Sequence, residues 1–205
     1  MTSEMGLRER KKLATRAALS QAAWSLMVEH GLDAVTPEAI AEAVDVSPRT
    51  FRNYFTSREE AILDELVRRA ASVTEAIRAR PASEPVWDSL EHVLPTVVAG
   101  LVGGRRDIVV LMSAIKCDPA MQAQHLVTFE RGHQLLVEAM AERTGTDAER
   151  DLAPRLLAAA TAVVLRTSME MWADGKTDAT LPDLIQESLA QLRAGLPLGT
   201  TSPTG

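Results

Sequence analysis

Apolar positions recur along most of the chain at intervals of three and four residues, the period of one face of an α-helix. The first such stretch, residues 8–30, ends at Gly31 and carries a stripe formed by Leu19, Ala23, Leu26, Met27 and His30. The same period continues in residues 58–80, 86–102, 105–116, 119–143, 151–174 and 181–194. Apolar residues make up 46% of the sequence but aromatic residues only 3%, and Ala and Leu are frequent, as is typical of helices rather than strands. The pattern predicts an all-α protein.

Breaks in this pattern divide the chain into three parts. A polar segment containing Pro81 and Pro85 separates the long fourth helix from the helices that follow. We predict an N-terminal helical domain over residues 1–56, which the fourth helix joins to a second helical domain over 57–194. Residues 195–205 form a tail of small and polar residues for which we predict disorder. Pro95 is expected to kink the helix over 86–102.

Two short helices are predicted between residues 36 and 55. Thr36 and Ser47 are good N-cap residues, and each is followed by a proline, which suits the first helical position. Only Asp45-Val46 links the two helices. After them, the run from Ser57 to Glu60 has the pattern of a capping box that opens the fourth helix. Two short helices docked on a longer first helix make a helix-turn-helix.

In a helix-turn-helix, the second helix enters the major groove of DNA and presents its first residues to base edges. Arginine can donate two hydrogen bonds to guanine, and asparagine can pair similarly with adenine. We therefore predict base contacts from Pro48, Arg49, Arg52 and Asn53. Hydroxyl and guanidinium groups beside this helix can reach phosphate oxygens, so the predicted phosphate contacts are Thr36, Ser47, Thr50, Tyr54 and Arg58.

The run TPEAIAEAVDVSPRTFRNYFTSREEAI, from Thr36 to Ile62, resembles the DNA-binding signature of the TetR family of regulators. The shared features are an alanine-rich helix, Val-Ser-x-x-Thr, a Tyr-Phe pair and a basic residue followed by an acid. They correspond here to Val46, Ser47, Thr50, Tyr54-Phe55, Arg58 and Glu59. The family pattern usually has Gly in place of Asp45 and Lys in place of Arg58. Asp tolerates the left-handed conformation at modest cost, so the turn is expected to survive.

The resemblance implies a homodimer that binds a palindromic operator, with the last two helices paired against their symmetry mates. Two apolar stripes fit this arrangement, although both also fit the core of a single subunit. One lies on the helix over 151–174 and one on the helix over 181–194. The predicted interface residues are Leu156, Ala160, Val164, Met171, Leu184, Ile185, Leu189 and Leu192.

The resemblance also implies that the remaining helices enclose a pocket for a small-molecule effector. Residues 1–56 would then be the helix-turn-helix DNA-binding domain, and residues 57–194 the helical ligand-binding and dimerisation domain. Methionine and tryptophan side chains suit a tolerant apolar site, although each candidate also fits a plain core position. The region has no dense cluster of carboxylates or arginines, which favours an apolar ligand. The predicted lining residues are Trp87, Leu90, Leu94, Met112, Met121, Phe129, Leu136, Met169 and Trp172.

Charge and residue chemistry narrow the function further. The net charge is −6, yet residues 1–55 hold seven basic and seven acidic residues, so the excess acid lies in the remainder. Neither a signal peptide nor a long uncharged run is visible, so we expect a cytoplasmic protein without a membrane span. No metal or cofactor spacing is apparent, and Cys117 is either a redox-sensing thiol or a small buried hydrophobe.

The resemblance therefore implies a repressor that leaves its operator when the effector binds. A carrier or small enzyme that uses only the C-terminal cavity is one alternative, and an activator with the same fold is another. No nucleophile–base pair, metal cluster or phosphate-binding loop is apparent in the sequence, and this disfavours an enzyme.

Overall fold

A computed structural model describes residues 6–101 and 103–196, apart from the side chain of Leu101. Within these residues the chain forms nine α-helices, a single 3₁₀ turn and no strand. Residues 197–205, the greater part of the predicted tail, lie outside the described residues. The helices are α1 (Leu7–His30), α2 (Pro37–Ala43), α3 (Pro48–Arg52), α4 (Arg58–Arg78), α5 (Val86–Leu101), α6 (Arg105–Cys117), α7 (Pro119–Thr144), α8 (Leu152–Asp174) and α9 (Leu181–Arg193).

The predicted caps fix where the short helices begin. Thr36 Oγ1 accepts a hydrogen bond from the backbone N–H of Ala39 at 3.1 Å, and Ser47 Oγ accepts one from Thr50 N–H at 3.1 Å. Each cap satisfies a backbone donor that has no partner within its own helix. The sequence missed the 3₁₀ turn at Leu32–Ala34, which separates α1 from α2.

The predicted capping box at Ser57 forms only in part. Ser57 Oγ accepts from Glu60 N–H at 3.1 Å, but the Glu60 carboxylate bonds Thr56 instead of returning to Ser57. A complete capping box occurs at the start of α9. There Thr180 Oγ1 accepts from Asp183 N–H, and the Asp183 carboxylate accepts from Thr180 N–H.

The turn between α2 and α3 depends on Asp45, which has a left-handed φ of 55°. The backbone N–H of Asp45 donates to Glu42 O at 3.1 Å, and that of Val46 donates to Ala41 O at 2.9 Å. These two bonds form a Schellman motif, in which glycine usually occupies the left-handed position. The prediction that Asp45 would preserve the turn is confirmed.

The first of two compact units combines the chain up to Ala71 with Gly104–Gly132. It therefore contains α1, α2, α3 and α6 and the first parts of α4 and α7. Residues 104–132 pack with the N-terminal helices, so this division differs from the predicted boundary at residue 56. Its largest fully buried side chains are Leu19, Met27, Ile40, Phe51, Phe55, Ile62, Leu63 and Met121.

The second compact unit combines Ser72–Gly103 with the chain from His133 onward. In this unit α9 packs against both α5 and α8. α9 does so with a buried stripe at intervals of three and four residues, formed by Leu181, Leu184, Ile185 and Leu189. Pro95 lies inside α5 and is buried, so the proline is part of this helix rather than its end.

The turn between α4 and α5 is held by Arg143 of α7. Arg143 Nη1 donates to the carbonyl oxygens of Arg80 and Pro81 at 2.8 and 2.9 Å. Its Nη2 donates to Glu84 O at 2.9 Å and to Ser89 Oγ at 2.8 Å. One side chain thereby satisfies carbonyls that a turn leaves without helical partners.

Candidate nucleic-acid interface

α3 exposes the side chains that could read base edges. Phe51 is buried at 1% exposure and anchors the inner face of the helix. Arg49, Arg52 and Asn53 are exposed, whereas Pro48 is half-buried. The Arg52 guanidinium lies 3.2 Å from the Glu38 carboxylate, and both side chains are 62% exposed. Such an exposed pair is weak, so DNA can displace Glu38 from Arg52.

The hydroxyl groups predicted to contact phosphate serve first as helix caps. Thr36 and Ser47 are exposed and accept backbone hydrogen bonds as described above. The hydroxyls of Ser47 and Thr50 also bond each other at 2.9 Å. Because a hydroxyl has two acceptor lone pairs and one donor, capping does not use up the O–H of Thr36. Tyr54 is half-buried and packs on the core of the first unit.

Arg58 has a structural role that revises its predicted phosphate contact. Its Nη1 donates to the carbonyl oxygens of Leu32 and Val35 at 3.0 and 3.2 Å. Its Nε lies 2.8 Å from the Glu59 carboxylate, and the side chain is only 27% exposed. Arg58 therefore ties the start of α4 to the 3₁₀ turn, and we leave it out of the proposed contacts.

Arg16 of α1 was missed by the sequence analysis, although it fixes the chain immediately after α3. Its Nη1 donates to Tyr54 O at 2.7 Å, and its Nη2 lies 2.6 Å from Asp64 Oδ1. A second carboxylate, that of Glu60, lies 3.3 Å from Nη2. The guanidinium also stacks on the Phe55 ring, 4.2 Å from the ring centroid. One side chain thus joins α1, the end of the recognition segment and α4.

Glu60 extends this network to Thr56. Its Oε2 accepts from both the backbone N–H and the hydroxyl of Thr56, each at 2.8 Å. Burial raises the pKa of Glu60, but the hydrogen bonds from Thr56 and Arg16 outweigh burial and leave the pKa below its ordinary value. Glu60 is therefore a carboxylate at neutral pH, and it keeps Arg16 aimed at the segment that follows α3.

A second arginine stacks on an aromatic ring between α1 and α4. The guanidinium carbon of Arg69 lies 4.1 Å from the centroid of the Trp24 ring, and Arg69 Nε lies 3.1 Å from the Glu65 carboxylate. Arg68 Nη1 also donates to the backbone of α1, at Ala17 O. α1 is therefore bonded to α4 at several points along its length, within the first unit.

The predicted pocket residues do not all belong to one compact unit. Met112, Met121 and Phe129 belong to the first unit and the other six to the second. Met121 is fully buried in the hydrophobic core of the first unit, and Phe129 is 47% exposed. These two positions therefore suit a core residue and a surface residue better than a pocket. Trp87, Met169 and Trp172 are half-buried, whereas Leu90, Leu94 and Leu136 are buried.

The predicted dimer residues separate into buried and exposed groups. Val164, Leu184, Ile185 and Leu189 are buried in the second unit, so they stabilise the subunit itself and are not available to a partner. Ala160 and Leu192 are half-buried. Leu156 and Met171 are exposed, and the sequence analysis missed two further exposed residues of the same helix face, Leu152 and Val163. We refer to Leu152, Leu156, Val163 and Met171 as the α8 stripe.

Among the described residues, α8 is the one helix whose length and composition would allow it to cross a membrane. The same helix buries Pro154, Ala158, Thr161, Val164 and Ser168 inside the second unit. A helix with one buried face and one exposed apolar face is more typical of packing against protein. No group of three metal-ligating side chains is found within residues 6–101 and 103–196.

Comparison with known proteins assigns this architecture. Residues 19–66 match the family model "Bacterial regulatory proteins, tetR family", and residues 84–197 match "MftR C-terminal domain". The HTH-type transcriptional regulator TcmR of Streptomyces glaucescens is 31% identical over 173 residues, which are 82% of this chain and 76% of TcmR. The chain belongs to the TetR family. It is a transcriptional regulator of this type, with a helix-turn-helix DNA-binding domain.

Solved structures agree on the fold of this TetR-family chain. FadR of Thermus thermophilus, in complex with lauroyl-CoA, is 21% identical with a TM-score of 0.62, covering 93% of this chain and 100% of FadR. NalD of Pseudomonas aeruginosa is 18% identical with a TM-score of 0.58, covering 91% of this chain and 97% of NalD. The predicted all-α architecture and the TetR resemblance are therefore confirmed.

Proposed function

We propose that this regulator is a cytoplasmic homodimeric repressor that binds a palindromic operator and leaves it when a small apolar ligand binds. The observation that carries the proposal is the exposed face of α3. Arg49, Arg52 and Asn53 project from a helix whose inner face is anchored by Phe51. These are the side-chain types that form paired hydrogen bonds with guanine and adenine.

Dimerisation is supported by the α8 stripe. Its four members lie on one face of α8 and are between 46% and 69% exposed. A monomer gains nothing by keeping such residues in water, whereas a two-fold symmetric interface buries the same patch on both subunits. Two recognition helices can then read half-sites about 34 Å apart.

Repression and ligand binding are supported by proteins with the same fold. NalD is described as a secondary repressor of an efflux pump, and the FadR of T. thermophilus as a repressor bound to lauroyl-CoA. In this chain Trp87 Nε1 is buried and has no hydrogen-bond partner among the described residues. A ligand with a mainly apolar body and one acceptor oxygen would satisfy this donor. A ligand that binds more tightly to a conformation with low operator affinity would shift the protein toward that conformation and so release the operator.

Selection of binding sites from random DNA tests the DNA-binding part of the proposal. We expect a two-fold symmetric consensus. Arg52→Ala should relax one position in each half-site at a cost of about 1–3 kcal/mol. Arg106→Ala, an exposed arginine of α6, is the matched control and should leave the consensus unchanged. A consensus without symmetry, or one unaffected by Arg52→Ala, would contradict the proposed contacts.

Sedimentation tests the proposed dimer. Val163→Glu in the α8 stripe should give monomers, whereas Leu126→Glu, at a 70% exposed position of α7, should not.

A gel-shift titration tests ligand release. Acyl chains and aromatic compounds should release the operator. Trp87→Phe should weaken release by ligands that carry an acceptor. Unchanged operator affinity across the whole panel would rule out induction by apolar ligands.

A further inference from the structure

The first two turns of α1 carry four cations on a surface that the subunit does not cover. Every residue from Leu7 to Ala14 is exposed, and the first buried residue of the helix is Leu19. This segment contains the basic residues Arg8, Arg10, Lys11 and Lys12 against one acid, Glu9. We refer to residues 7–14 as the basic arm. It holds a net charge of +3, four cations minus one anion, in a chain whose net charge is −6.

The basic arm lies on the N-terminal side of Arg16, the residue that bonds α1 to the chain directly after α3. Arg16 donates to Tyr54 O and stacks on Phe55, directly after α3. A helix rises 1.5 Å per residue, so Arg8 lies about 12 Å along the axis from Arg16. The buried residues of α1, from Leu19 to Met27, lie in the opposite direction. The arm therefore begins beside the predicted phosphate-contact segment and leads away from the core.

The charges of the basic arm work against the helix that carries them. Cations near a helix N-terminus oppose the helix dipole, which favours acids there. Arg8 also repels Lys11 and Lys12, which lie three and four residues further along the same face. Within residues 6–101 and 103–196, none of the four cations forms an ion pair with a carboxylate. The arrangement thus destabilises the isolated helix, and an anionic partner would remove this penalty.

We propose that the basic arm is a second DNA-binding surface, which holds phosphates of the duplex flanking the base pairs read by α3. This inference rests on the proposed operator binding and adds a flank to it. Lysine and arginine contacts with phosphate are independent of base sequence, so the arm would add affinity and leave the consensus unchanged. The partner is duplex DNA because the arm is the start of α1, and Arg16 bonds this helix to the chain directly after α3.

Binding to operators of two lengths distinguishes the contribution of the basic arm to affinity from that of α3. The variant is Arg8→Gln/Lys11→Gln/Lys12→Gln, and its matched control is Arg106→Gln/Arg131→Gln/Arg150→Gln, which changes three exposed arginines outside α1. On an operator with ten added flanking base pairs on each side, the arm variant should bind about tenfold or more weakly. The slope of log affinity against log salt should fall by about 2–3 per arm. The control should match the unmodified chain.

On an operator trimmed to the consensus, the unmodified chain and the arm variant should bind equally. Wild-type affinity and salt slope for the arm variant on the long operator would overturn the inference. A loss on the trimmed operator equal to that on the long one would also overturn it, because the arm would then act within the half-site. If the unmodified chain binds neither operator, the proposed function fails instead. Circular dichroism should show that the arm variant keeps its helical content.

Discussion

Arg16 in the first compact unit and Arg143 in the second each join distant parts of the chain, but the two arginines bind partners of different chemistry. In the first unit, Arg16 binds the carboxylates of Glu60 and Asp64, one carbonyl and an aromatic face. In the second unit, Arg143 binds three carbonyls and one hydroxyl, all of them neutral. The first network compensates buried charge, whereas the second satisfies the backbone of a turn.

The difference teaches which network tolerates the loss of its arginine. Asp64 is only 7% exposed, so its charge depends on Arg16 for compensation. The carbonyls that Arg143 binds belong to the turn between α4 and α5, which contains exposed residues that water can reach. Arg143 also has a buried Nε without a partner in the described part of the chain, so its own burial is incompletely compensated. We expect the first network to be the more sensitive.

The largest effect is expected from Arg16→Met, which keeps the apolar stem but leaves Asp64 without its cation. We predict a loss of about 3 kcal/mol in the free energy of unfolding. Urea denaturation gives the magnitude, and hydrogen exchange should show the opening in residues 54–64. The double variant Arg16→Met/Asp64→Asn should recover part of the loss, because it removes the uncompensated charge. A loss below about 1 kcal/mol would mean that water already reaches Asp64.

A smaller effect is expected from Arg143→Met. The carbonyls of the turn lose the donors of Arg143 but remain neutral, so we predict a loss of about 2 kcal/mol. Increased hydrogen exchange should be confined to residues 79–89. Arg150→Met, at an exposed position of the same unit, is the control and should change stability by less than about 0.5 kcal/mol. Equal losses in Arg16→Met and Arg143→Met would break the comparison between charged and neutral networks.

Helix caps provide a matched pair with a smaller effect. Ser47→Ala and Thr180→Ala each remove a side-chain oxygen that accepts from a backbone N–H, at a cost of about 1 kcal/mol. Thr180→Ala should cost more, because Thr180 also bonds the Asp183 carboxylate within a complete capping box. Thermal unfolding of both variants measures the order. The reverse order would mean that the bond between Ser47 and Thr50 contributes more than the box.

The smallest effect is expected from acid, and it should involve both units. Hydrogen bonds from Arg80 and Ser89 lower the pKa of Glu84 from 4.5 to about 2, and the pKa of Glu60 is also below its ordinary value. A folded pKa below the unfolded one gives stability that is present above pH 4.5 and lost as pH falls through the folded pKa. Stability attributable to these two groups should therefore be flat from pH 8 to pH 6 and decline below about 4.5.

Glutamine variants assign the acid response to one unit or the other. Glu84→Gln should flatten the decline in the second unit, and Glu60→Gln should flatten it in the first, as followed by urea denaturation between pH 2 and pH 6. If both variants keep the full decline, other carboxylates account for it.

The fold was predictable from the sequence wherever a structural feature depends on residues a few positions apart, as helix caps do. Thr36 and Ser47 with their prolines fixed the starts of α2 and α3, because a cap acts on a backbone N–H three residues away. The Arg16 network could not be predicted, since its partners lie 38–48 residues further along the chain. No spacing rule connects residues that only packing brings together.

The surfaces of α8 and α9 were predictable only in part, because both helices carry apolar residues on more than one face. Periodicity placed Leu156 and Val164 in one stripe of α8, because residues eight positions apart lie on neighbouring parts of the helix surface. In the structure Leu156 is exposed and Val164 is buried. Which part faces the core depends on where α5 and α9 pack, and periodicity does not contain that information. The recognition helix was simpler, since Phe51 was its one large apolar residue and determined which side turned inward.

In the turn before α3, a substitution of Asp45 changes both the backbone strain and the charge. The left-handed backbone there is strained for any residue with a Cβ, and the Asp45 carboxylate adds a negative charge to the turn that leads into α3. Replacing Asp45 by Gly would remove the backbone strain and the negative charge together. If α3 binds the operator as proposed, Asp45→Gly should lengthen the residence time on the operator and leave the base preference of Arg49 and Arg52 unchanged. One substitution in this turn would then change how long the proposed complex lasts without changing which sequence it selects.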